Sequence, residues 1–98
     1  INSTAIKPAT LNITTAGTAQ NPTATNIPDG VTVVFLAHKD NTGSIKIADT
    51  AANAQSAAGT NNIPLTANQS VGLQISDPAK VFVDATVSGE KIIIFSEY

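Results

Sequence analysis

Cysteine is absent from this 98-residue sequence, and so are arginine and tryptophan. Without cysteine, no disulfide or thiolate metal site can reinforce the fold. Without arginine, bidentate grips on phosphate or guanine have no donor. With no tryptophan and one tyrosine, sugar stacking has little to work with. Charge is sparse as well. Five lysines (Lys7, Lys39, Lys46, Lys80 and Lys91) are scattered against seven acids, for a formal net charge of −2. No basic run exists, so nucleic acid is not an expected partner. No apolar run approaches the ~20 residues that span a bilayer, so no membrane partner is expected either. No signal-peptide pattern opens the chain. The first residue is Ile1 rather than methionine, and further sequence upstream is expected.

What remains suits a single small domain with a radius of gyration of roughly 13 Å. A chain of this size buries about two-thirds of the surface its unfolded form exposes. The aromatics are Phe35, Phe82, Phe95 and Tyr98. Small β-forming residues must therefore do most of the packing, or a partner must share it.

Residues 1–30 are rich in Thr, Asn, Ala and Ser, which lose entropy on ordering and return little burial. Pro8, Pro22 and Pro28 bar a helix there. One short strand is expected at Leu11–Thr15, where Leu11 and Ile13 alternate with polar neighbours. The segment reads as a disordered tail or as an extended arm that orders against a partner.

From Val31 the pattern becomes strands. Val31–Ala37 is nearly continuous apolar and reads as a strand covered on both faces. "KDNTG" then offers turn residues, with Gly43 able to take the positive φ of a bulged hairpin. "SIKIA" alternates, with Ile45 and Ile47 inward and Lys46 outward. Asp49–Asn62 is the one helix-tolerant stretch. Asp49 or Thr50 can cap a turn or two, but no apolar stripe larger than alanine lies on it, so the stretch reads as a surface loop with at most a short helix, ended near Gly59. Strands resume with "SVGLQI", "KVFVDA" and "KIIIF", separated by turns at Asp77–Ala79 and around Gly89. The expected fold is all-β: a single antiparallel β-sandwich or small barrel over residues 31–98, with an extended N-terminal arm over 1–30.

Alternation assigns faces. Val31, Val33, Phe35, Ile45, Ile47, Val71, Leu73, Ile75, Val81, Val83, Ile92 and Ile94 fill the inward positions. A second apolar set then points the other way: Val34, Leu36, Phe82, Ile93 and Phe95. Bulges or the N-terminal segment can cover that set. Alternatively it is an interface to another subunit or partner, since large exposed apolar patches are uncommon on monomers.

Chemistry-bearing patterns are few. His38, the single histidine, continues the Thr32, Val34, Leu36 face where the strand meets its turn. A nucleophile triad needs Ser, His and Asp converging, and no G-x-S-x-G elbow is present. A zinc site needs three or four ligands at short spacing. His38 therefore reads as a polar strand end. "DNTG" lacks the order and the distal Glu of a calcium loop, and "SGEKI" lacks phosphate-loop glycine spacing. Asp84 and Glu90 are the one carboxylate pair that could approach for glycoside chemistry. The acids all lie near expected turns, where a solvated role is usual. Asn2, Asn12 and Asn68 begin N-x-[ST] triplets, which carry meaning only in a secretory context. No catalytic, metal or cofactor residue is assigned, and an enzyme is not expected.

The order of pieces from Asp29 onward carries a resemblance. "DGVTV" at Asp29–Val33 is followed by "NTG" and "IKI" within Asn41–Ile47. Then come "PL" at Pro64–Leu65, "SVGLQI" at Ser70–Ile75, the "D…KVFVDA" piece at Asp77–Ala85, and "G…I" at Gly89–Ile94. This resembles a family of small virion proteins of tailed bacteriophages over about two-thirds of the chain. Where the family has Gly-Glu before the serine, this chain has "TANQS". The resemblance implies an all-β virion component that decorates the head or sits on a head or tail fibre, with no catalytic residues. The expected function is that of a capsid decoration (cement) protein on the outer capsid surface. Its expected partners are the major capsid protein and copies of itself, as a trimer in one arrangement. A head-fibre or tail-tip module that attaches the particle to host sugar or protein is the alternative. A small carbohydrate-binding domain ranks third, for want of aromatics.

Overall fold

A computed structural model describes residues 5–98. Its strands are β1 (Ala9–Ile13), β2 (Val33–Ala37), β3 (Ile45–Ala48), β4 (Ile63–Leu65), β5 (Ser70–Leu73), β6 (Phe82–Ala85) and β7 (Glu90–Phe95). A single short helix, α1 (Ala51–Gln55), lies between β3 and β4, and one 3-10 turn, Pro78–Lys80, precedes β6. The strands form two antiparallel sheets, a four-stranded one in the order β1-β7-β2-β5 and a three-stranded one in the order β4-β3-β6. The fold is thus the antiparallel β-sandwich that alternation and turn spacing imply, with a radius of gyration of 12.8 Å.

The core lies between the sheets. Val33, Phe35 and Ala37 of β2 and Ile92 and Ile94 of β7 point inward from one side. Ile45 and Ile47 of β3, with Val83 and Ala85 of β6, point inward from the other. Val31, Val71, Leu73 and Ile75 pack against this cluster, so every position read as inward lies in it or on it. The period-2 pattern fixes this because a strand sends successive side chains to opposite faces. Helix α1 stays short for the reason its sequence gives. Thr50 caps it by accepting a hydrogen bond from Asn53 N, and Ala54 is its one buried residue.

Two expectations are corrected. The first concerns residues 1–30. Residues 1–4 lie outside the described residues, but residues 5–30 are built into the sandwich and are not an arm. β1 is the edge strand beside β7, and Ile13 and Ile27 belong to the same core cluster as residues 31–98. The domain therefore does not begin at residue 31. A sandwich limited to residues 31–98 would lack the Ile13 and Ile27 side chains that complete its core, and β7 would lose its outer neighbour.

The second correction concerns Val31–Asp49. The turn does not fold β2 and β3 into a hairpin, because the two strands belong to different sheets. The turn carries the chain across the sandwich and is held against β7. The Asn41 side chain acts like a strand residue: its Nδ2 donates to Lys91 O at 2.7 Å, and its Oδ1 accepts from Lys91 N at 2.9 Å. Gly43 is needed here for room, not for a positive φ. A Cβ at this position would run into Thr86 Oγ1 and Val87.

Candidate interaction surface

The structure divides the second apolar set. Val34 and Leu36 of β2 lie opposite Phe95 and Ile93 of β7, respectively. These four form a block on the outer face of the four-stranded sheet, and all are half-buried. Thr10 of β1 lies beside Ile93, while Ser70 and Gly72 of β5 lie beside Leu36 and Val34. Small residues thus flank the block and leave it flat. Phe82 is not part of it. Phe82 sits on β6, opposite Ala48, in the other sheet. Alternation gives the parity of a side chain but not the sheet its strand joins, and Phe82 was grouped by parity alone.

The outer face of the three-stranded sheet is occupied differently. Lys46 on β3 and Asp84 on β6 are register partners, and both are buried. Asp84 Oδ1 accepts from Gly17 N at 3.0 Å, and Lys46 Nζ donates to Ser56 O at 2.9 Å. Asp84 Oδ2 lies 3.4 Å from Lys46 Nζ without hydrogen-bond alignment. Helix α1 packs over β3 and β6 above this pair. Lys46 does point away from the core as alternation requires, but it is covered and paired rather than solvated. A buried pair of this kind is weak evidence for net stability, though removing one partner is strongly destabilising.

Glu90 is the second acid that a solvated reading misplaces. It is buried, and its Oε2 and Oε1 accept from Thr42 N and Gly43 N, both at 2.8 Å. Asp84 and Glu90 are thus each engaged in a separate structural task. His38 sits at the strand end as expected, where its Nδ1 accepts from Asp40 N at 3.1 Å and shapes the turn. Among the described residues no group of three or more His, Cys, Asp or Glu side chains could hold a metal ion. Nor is any helix among them long and apolar enough to cross a membrane.

Two further acids, half-buried Asp77 and exposed Asp49, organise local turns. Asp77 Oδ1 accepts from Thr25 N and from Ala79 N, both at 3.0 Å. The Thr25 bond first and the Ala79 bond second hold its carboxyl below the ordinary carboxylate value. The Asn53 side chain does the same for Asp49.

A third feature lies at the open side of the sandwich. A groove of about 570 Å³ separates β5 from β4, with Leu73, Ile75, Ile63 and Ile47 as its apolar walls and Lys80 and Asp49 on its rim. Ile63 is 39% exposed there. The strand pattern gave no sign of this groove, because it depends on which edges of the two sheets lie side by side. The Lys46–Asp84 pair did leave a sequence signal: "IKI" and "VDA" each set one charge between apolar residues of a short strand.

Comparison of the chain with family models, with curated proteins and with solved structures returns no match.

Proposed function

We propose that the chain is a non-catalytic structural protein of a tailed-phage virion: a capsid decoration protein that binds the outer shell through the flat face of its four-stranded sheet. The virion part of this reading rests on the sequence resemblance from Asp29 onward. The binding part rests on one observation, the in-register block of Val34, Leu36, Ile93 and Phe95, flanked on the neighbouring strands by the small residues Thr10, Ser70 and Gly72. Apolar surface removed from water contributes about 25 cal/mol per Å² before the costs of association are subtracted. A flat sheet face suits a broad shell surface better than a pocketed ligand. The major capsid protein is the partner in this reading. Binding only the assembled shell stabilises it by about 2.7 kcal/mol per site at a hundredfold excess over Kd.

The test is co-sedimentation with undecorated shells. Ile93→Asp would place an unpaired charge at the centre of the block, which is strongly unfavourable when buried. It should abolish binding while circular dichroism still reports a folded β protein. Phe82→Asp, on the other sheet, should bind as the parent does. Equal binding by Ile93→Asp and the parent would overturn the assignment of the face. Failure of the parent to bind any shell, with binding to host cells instead, would move the assignment to a fibre or tail-tip module.

A further inference from the structure

The β5 edge of the four-stranded sheet is unguarded. Ala37 N donates to Gln69 O at 2.9 Å, and the register continues Phe35↔Val71 and Val33↔Leu73. In an antiparallel ladder these pairs turn their backbone groups toward each other. The alternate residues, Ser70 and Gly72, therefore turn N–H and C=O away from β2, toward the open edge. Natural sheets blunt such edges with charge, proline or a cover. The stretch Asn68–Ser76 has neither charge nor proline.

The other edges differ. β6 is capped by the Gln20 backbone, which both donates to and accepts from Val83 at 2.8 Å. β4 has three residues with Pro64 at its centre. The pocket beside β1, with Ala9, Leu11 and Ile94 in its lining, holds only about 80 Å³, against about 570 Å³ beside β5. β5 combines free backbone groups with the larger slot, walled by Leu73, Ile75 and Ile63, that takes alternate side chains of an added strand.

We propose that β5 pairs antiparallel with β5 of a second copy, about a two-fold axis normal to the sheet. The two four-stranded sheets then become one of eight strands. Charge selects the second copy as the occupant. An isologous contact sets Ser70–Ile75 against itself, so any charge within it would face its own counterpart or a near neighbour. The stretch carries none, and the groove rim balances Lys80 against Asp49. Two copies therefore meet without like-charge repulsion. The axis normal to the sheet leaves both Val34–Leu36–Ile93–Phe95 blocks facing the same way. On the proposed function, which this last consequence requires, the dimer grips the shell at two points. Such linkage can exceed single-site binding by roughly 10²–10⁴-fold.

Sedimentation equilibrium of the full chain, without shells, tests the pairing separately from the function. The expected result is a reversible monomer–dimer equilibrium. Ser70→Lys should raise the dimer dissociation constant by roughly tenfold or more, the equivalent of about 1.4 kcal/mol. Thr10→Lys, on the opposite edge of the same sheet, should leave it unchanged. Both positions are exposed, so both variants should fold. A monomer at every concentration, a trimer, a dimer indifferent to Ser70→Lys, or a dimer broken only by Thr10→Lys would each overturn the proposal.

Discussion

The two sides of this sandwich begin with the same problem and end differently. Where β1 faces β6, residues 14–22 run from one sheet to the other and close the gap. Gly17 N bonds Asp84, the Gln20 backbone pairs with Val83, and Asn21 Nδ2 donates to Ala79 O and Val81 O. Ala16 N and Ala19 N bond the Ser88 and Gln55 side chains. Where β5 faces β4, no described segment closes the gap, and a groove remains. The closing segment is among the least hydrophobic parts of the chain. It is held by backbone and amide hydrogen bonds, each contributing only about 1 kcal/mol, and acts through their number. Low hydropathy therefore does not by itself mark a tail.

The comparison can be broken at either side. The largest effect is expected from the core residue that leads into the closed side. Ile13 is fully buried, and Ile13→Ala should cost about 2–5 kcal/mol of unfolding free energy, since it removes buried methylenes and leaves a cavity. Ile63→Ala, on the open side, should cost less than about 1 kcal/mol, because its side chain is already partly in water. Urea denaturation of the two variants measures this directly. Equal costs would erase the distinction between the sides.

A smaller effect concerns pH. Asp77 fastens Thr25, in the segment that runs on from the closed side, to the 3-10 turn at Pro78–Lys80. Its folded-state pKa is depressed, so the stability it contributes is present above the unfolded value and is lost as pH falls through the folded one. Asp49 acts in the same direction. Asp77→Asn should lower thermal stability modestly in the neutral range and flatten the acid limb, so that the variant and the parent converge at low pH. An acid limb identical to that of the parent would show that the Thr25 and Ala79 bonds do not hold the carboxylate in solution.

Much of the fold was legible because strand alternation is a local property. The inward set, the short capped helix and the sandwich class all follow from residues within a few positions of each other. What escaped was pairing. Val34 and Phe82 share a parity but join different sheets, and Lys46 and Asp84 meet only because β3 and β6 are neighbours in that register. Asn41 and Glu90 resemble ordinary turn residues until β7 lies beside them. Of the five residues that share the outward parity, the four on the adjacent strands β2 and β7 fall on one sheet face. The groove was not legible at all, because it belongs to the gap between two sheets and to no single strand.

The central claim is that residues 13–27 are structure while the β5 edge is open. Residue-resolved amide hydrogen exchange in dilute protein tests it most directly. The account predicts that Gln20 and Val83 exchange as slowly as the core amides of Phe35 and Ile94, while Ser70 and Gly72 exchange fast. If Gln20 and Val83 instead exchanged as fast as Ser70 and Gly72, with Phe35 and Ile94 still protected, the N-terminal segment would be a detachable arm and the account would fail.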